Sequence, residues 1–158
     1  MNWQEICEDP SLQDLPFKIE LNQWGKIEMS PAKNRHAFLQ AKVIKYLLQH
    51  AKNGAVLPEC PILTTDNVKV ADVVWVSDER AEILKNESIS SIAPEICVEI
   101  QSSGNTNQEM MLKKKLYLDA GAEEFWLCDE YGNIKIYNKQ GLLEQSRLYP
   151  DFPMYIEI

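Results

Sequence analysis

Apolar and polar residues first alternate at Phe17–Leu21, where Phe17, Ile19 and Leu21 share one face of an extended segment. Asn22 to Gly25 supplies a turn and Lys26 to Met29 a second strand, so the spacing predicts a hairpin. From Asn34 to Lys52 the period becomes helical. Ala37, Ala41, Ile44, Leu48 and Ala51 fall on one face, with Phe38 and Leu47 beside them, and Gly54 is placed to end the helix. Val56 to Leu63 is apolar but broken by Pro58 and Pro61, which suits an edge strand. Val68 to Val76 is a valine-rich strand, and residues 78 to 91 read as a charged surface loop with at most a helical turn. Pro94 to Gln101 is a short buried strand. Thr106-Asn107-Gln108-Glu109 has the form of a capping box, predicting a helix to Ala120 closed by Gly121. Phe125 to Cys128 and Ile134 to Tyr137 extend the sheet across a Gly132-Asn133 turn, and Met154 to Ile158 is a last apolar stretch. Residues 1–16, with Pro10 and Pro16 as breaks, read as irregular.

A helix between strands implies a crossover and some parallel pairing. The expected class is therefore α/β, or α+β with a mixed sheet flanked by helices. At 158 residues and 45% hydrophobic, the chain fits one domain over 1–158 with one core. The net charge of −8 counts against a surface that coats nucleic acid all round, but leaves room for a local basic groove. Cys7, Cys60, Cys97 and Cys128 form no C-x-x-C pair. With Cys97 and Cys128 inside apolar runs, buried free thiols are the expectation, not zinc or a disulfide framework. The start shows no signal-peptide pattern and the chain no apolar span of membrane length, so a cytoplasmic location is expected.

Three polar residues interrupt otherwise apolar strands. Asp72 lies within Val70-Ala71-Asp72-Val73-Val74-Trp75-Val76, Glu99 within Ile96-Cys97-Val98-Glu99-Ile100, and Gln101 ends that strand on the same face as Glu99. A carboxylate on a buried strand is costly unless paired or bound to metal. Either would explain Asp72 and Glu99, and hard oxygen ligands suit magnesium or manganese. Lys113-Lys114-Lys115 fits a solvated helix face with Glu109 and Lys113 paired, yet the helix begins just after the Glu99 strand, which brings its first turns near that strand's end. His36 and His50 are the only histidines. His50 reads as a surface residue near a helix end, and His36 as either phosphate-facing or structural. With no G-x-S-x-G, P-loop or G-x-G-x-x-G, neither serine-hydrolase chemistry nor a nucleotide cofactor is supported.

Four segments in order resemble the Uma-type restriction-endonuclease family. They are Gly25-Lys26-Ile27-Glu28-Met29-Ser30-Pro31 with His36, then Ala71 to Val76, then Pro94 to Ser102, and finally Lys113 to Tyr117 with Gly121 and Glu124 to Asp129. The resemblance runs from about residue 17 to residue 137. It implies the restriction-endonuclease-like fold of the PD-(D/E)XK superfamily and metal-dependent hydrolysis of DNA by Mg2+ or Mn2+. Carried over by position, Asp72 and Glu99 are the metal carboxylates and the Ile100 carbonyl completes the protein ligands. Gln101 stands where the superfamily motif has lysine, and Lys113 matches the lysine relocated to the following helix. Two departures are Ala71 where the family has proline, and Gln101-Ser102-Ser103-Gly104 after the second carboxylate. Glu20 and Glu28 are candidates for an outer carboxylate. A homodimer is expected by analogy with nucleases of this size. The competing expectation is a catalytically silent module on the same fold that binds DNA or a protein partner.

Overall fold

The computed structural model describes residues 1–31 and 33–158. Two sheets organise the chain. Strands β1 (Phe17–Leu21) and β2 (Ile27–Pro31) form the expected antiparallel hairpin. The main sheet has six strands in sequence order: β3 (Ala55–Thr64), β4 (Asn67–Val76), β5 (Ile96–Ile100), β6 (Glu124–Cys128), β7 (Ile134–Asn138) and β8 (Gly141–Leu143). Only β5 and β6 pair in parallel, because helix α4 (Asn107–Asp119) makes the crossover between them. The interrupted, proline-containing β3 is an edge strand, as its sequence predicts.

The sheet's two faces are covered by different helices. Leu39, Val43 and Leu47 of α2 (Asn34–His50) pack with Val73, Trp75, Ile96, Val98 and Trp126. On the opposite face Met110, Tyr117 and Leu118 of α4 pack with Val74, Cys97, Phe125 and Leu127. Asp72 and Glu99 share strand parity with Val74 and Cys97, so both carboxylates point to the α4 side. The hairpin is fastened to β4 by two buried bonds. Val70 N–H donates to Glu20 Oε2 at 2.7 Å, and Lys69 Nζ donates to the Leu21 carbonyl at 3.2 Å.

Several expectations change. The inward stripe of α2 is Leu39, Val43 and Leu47, while Phe38 and Leu48 are exposed, as are Ala37 and Ala41. Three large side chains at i, i+4 and i+8 fill the space over the sheet better than a stripe containing three alanines. Residues 1–16 are not irregular: Trp3–Glu8 forms α1, capped by a reciprocal Asn2–Glu5 box, and Pro10–Leu12 a 3-10 turn. Residues 78–84 form α3 (Asp78–Leu84), with Ser77 as its cap. In the apolar stretch Met154 to Ile158, Ile156 is buried and its N–H donates to the Gly132 carbonyl. His50 is half-buried, its ring bonded to the Tyr46 and Asp151 carbonyls. Cys60, Cys97 and Cys128 are buried free thiols and Cys7 is exposed. Among the described residues, no helix is long and apolar enough to cross a membrane.

Candidate active site

Asp72 is placed by β4 and Glu99 by β5, and each is 2% exposed. Burial of this depth demands partners, and both carboxylates have them. Asp72 Oδ2 accepts the Ile100 N–H at 2.8 Å and lies 3.2 Å from His36 Nε2; Asp72 Oδ1 accepts from Lys18 Nζ at 3.1 Å. Glu99 Oε1 accepts from the Tyr117 hydroxyl at 2.7 Å and Lys113 Nζ at 3.2 Å, while Oε2 accepts from Lys18 Nζ at 3.4 Å. Lys113 also donates to both oxygens of Glu20, each at 3.1 Å. The i, i+4 spacing of Lys113 and Tyr117 puts both on the face of α4 that meets β5.

The electrostatics separate the two carboxylates. Burial alone would raise Asp72, but Lys18 and the His36 hydrogen bond hold it well below the usual carboxylate range. Burial pushes Glu99 up to about 7, with Asp72 and Glu20 pushing the same way against Lys113 and Lys18. The pair thus contains one firmly ionised carboxylate and one that takes a proton near neutrality. Burial opposes the charge of Lys18, yet Glu99, Asp72 and Glu20 raise it well above the ordinary lysine value. The hydrogen bond to Asp72 raises His36.

These groups open into a cavity of about 330 Å³ walled by Lys18, Lys33, His36, Glu59, Asp72, Glu99, Ile100 and Lys113. Glu59 lies on β3 beside Asp72 of β4, with a positive φ of 50°. Such a backbone is costly for a residue with a side chain and recurs at functional sites.

Of the residues expected from sequence, Asp72, Glu99 and Lys113 converge, and Ile100 contributes its N–H to Asp72 and part of the wall. Gln101 does not join them. Strand β5 ends at Ile100, and the Gln101 side chain turns into the following loop, donating to the Asn105 carbonyl and Asn107 Oδ1. Glu20 reaches the cluster, whereas Glu28 is exposed and lies 3.6 Å from Lys69. Lys114 stacks over the Tyr137 ring and Lys115 pairs with Asp119, so Lys113 is the inward one of the three. Lys18 and Tyr117 complete the site beside the residues expected from sequence. The signal for Lys18 lay in β1, where it shares the face of Glu20, and for Tyr117 in its position one helical turn beyond Lys113.

Among the described residues no three His, Cys, Asp or Glu side chains are arranged to hold a metal ion. Asp72 and Glu99 nonetheless fit a hard divalent ion. Magnesium is bound through one or two carboxylates and keeps several waters, and here two carboxylates already share a cation, the Lys18 ammonium.

A mixed sheet with helices on both faces and a carboxylate–lysine cluster at the end of its central strands defines a restriction-endonuclease-like domain. The chain belongs to the Uma2 family, described as putative restriction endonucleases, whose model matches residues 8–153. That membership supports a nuclease-type function. A solved structure from Anabaena variabilis ATCC 29413, titled a putative nuclease belonging to DUF820, superposes with a TM-score of 0.70 at 21% identity, covering 85% of this chain and 79% of the other. At that identity the likeness establishes the fold. No curated protein matches the chain.

Proposed function

We propose that the protein is a divalent-metal-dependent DNA endonuclease of the PD-(D/E)XK type. The observation that carries this reading is the contact of Lys113 Nζ with Glu99 Oε1 at 3.2 Å, beside Asp72 in one cavity. Asp72, Glu99 and the Ile100 carbonyl would hold Mg2+ or Mn2+. When bound, the ion would act as a Lewis acid on the phosphate and lower the pKa of the attacking water. Lys113, fixed by Glu20, would orient the attacking water and offset charge on the phosphate oxygens; hydrolysis joins the water oxygen to phosphorus, breaks one P–O ester bond and leaves the water's proton for the departing alkoxide. Tyr117 fixes Glu99 Oε1. Gln101 acts on the loop that borders the cavity and not on the reacting atoms. Lys33 in the cavity wall, with Arg35 in an adjoining cavity, supplies positive charge for a DNA backbone on an otherwise acidic body. Double-strand cleavage would need two such sites, as in a homodimer.

Supercoiled plasmid incubated with Mg2+ or Mn2+ tests this directly. Wild type should nick it, and Asp72→Ala and Lys113→Ala should each abolish or strongly reduce nicking. If folded wild type cleaves no DNA form with either metal, the domain is a silent binding module.

A further inference from the structure

We propose that Lys18 is a resident cation that competes with the divalent ion, so that metal enters only when the lysine is withdrawn. This rests on the reading of Asp72 and Glu99 as metal ligands. Among the described residues, Lys18 is the one cationic side chain in contact with both, at 3.1 Å from Asp72 Oδ1 and 3.4 Å from Glu99 Oε2. Lys113 touches only Glu99 of the two and is anchored instead on Glu20. An ammonium within hydrogen-bond distance of both oxygens and a Mg2+ seated about 2.1 Å from them cannot share that space.

The charges point the same way. Three buried carboxylates, Glu20, Asp72 and Glu99, face the two ammoniums of Lys18 and Lys113. With Lys18 in place and the His36 ring beside Asp72 neutral, the fully ionised cluster carries one surplus negative charge. With Lys18 withdrawn the surplus is two, the charge of the incoming ion. The metal-free site is therefore close to electrically satisfied, which a buried carboxylate pair could not otherwise be. Withdrawal is geometrically open. Lys18 sits on β1 of the separate two-stranded sheet, its side chain is 16% exposed, and it lines the cavity. Its four-carbon stem can redirect the ammonium into that space without moving the β1–β4 fastening.

The test is Mn2+ binding to the full-length protein, measured by calorimetry and by the spin-resonance signal of free Mn2+. Wild type is compared with Lys18→Met, Lys18→Gln and Lys18→Arg, each checked for folding by circular dichroism. If the competent site is populated only while Lys18 is out, Lys18→Met and Lys18→Gln should bind Mn2+ about tenfold or more tightly than wild type. Lys18→Arg should show no such gain, and Lys18→Gln, which keeps a hydrogen-bonding tip, stands in if Lys18→Met does not fold. Equal or weaker binding by the folded neutral variants overturns the competition while leaving the ligand assignment intact, as does a gain in Lys18→Arg matching theirs. Absence of Mn2+ binding in wild type and every variant overturns the ligand assignment and the competition with it.

Discussion

In the metal-free protein the two cluster carboxylates should respond oppositely to amide substitution. Asp72 is ionised, and both of its oxygens accept from donors that cannot reverse. Lys18 Nζ faces Oδ1, and the Ile100 N–H faces Oδ2. Asp72→Asn must turn its NH2 toward one of these, leaving a donor against a donor and a buried ammonium with less compensation. Breaking one side of a buried ion pair costs about 3–5 kcal/mol. For a domain of this size each kcal/mol moves Tm by about 2–4 °C, so the expected loss is roughly 6–20 °C.

Glu99→Gln is a different substitution in the same cluster. Burial already pushes Glu99 toward its neutral form. A glutamine reproduces that state. Its carbonyl oxygen can accept from Tyr117 and Lys113, and its NH2 meets the Lys18 ammonium only at the longer 3.4 Å contact, so the cost should stay at about 1–2 kcal/mol, below that of Asp72→Asn. Thermal and urea unfolding of both variants in EDTA at pH 7 measures the contrast. A loss in Glu99→Gln as large as that in Asp72→Asn would refute the assignment of one ionised and one near-neutral carboxylate.

Three further predictions follow from the packing and charges. Because the folded-state value of Glu99 is raised from 4.5 to about 7, its contribution to stability is full below about pH 4.5 and is lost as pH rises through 7. The Tm of metal-free Glu99→Gln should therefore gain on wild type between pH 5 and 8, and a constant difference would contradict the shift. Gly132 has φ +91°, and a Cβ there would lie 2.0 Å from the Ile156 carbonyl oxygen. Gly132→Ala should cost about 2–3 kcal/mol through backbone strain and loss of the tail's seat, read by urea unfolding. Ellman's reagent should label Cys7 alone in the native protein at pH 8, because burial raises the thiols of Cys60, Cys97 and Cys128, the last to about 12. Rapid labelling of a second thiol in the native state would contradict that burial.

How far the sequence reveals this site depends on what kind of signal each residue leaves. Asp72 and Glu99 are legible because a charge inside a run such as Val70 to Val76 has no local explanation. Lys113 is legible only through its helix's distance from β5, since Lys113 to Lys115 look alike and tertiary packing decides which turns inward. Lys18 and Glu20 are nearly silent. In a hairpin they read as a solvated face, and they become buried only because β1 docks on β4 some fifty residues away. Gln101 shows the converse error. Alternation extends a strand's face only as far as the strand, and β5 stops one residue earlier. The Asn2–Glu5 box carries the same pattern as Thr106–Glu109, but the helix it opens is only six residues long and leaves little apolar period to read.

The same docking bears on how a chain with a net charge of −8 could hold the proposed phosphate substrate. Net charge is a sum over the surface, whereas recognition depends on the field inside one cavity. The sheet supplies the cavity's two deepest carboxylates, and its cations come from elsewhere: Lys18 from the hairpin, Lys33 from the start of α2, and Lys113 from α4. No short window of the sequence contains that set, so composition cannot report it. With the carboxylates covered by Lys18 and Lys113, the groups left to face an incoming phosphate are mainly cationic. A divalent ion exchanging for Lys18 would make the floor of the cavity more positive still. An acidic body can therefore hold a nucleic-acid strand at one point, provided the attraction comes from a few converging cations and a bound ion, and not from a basic surface.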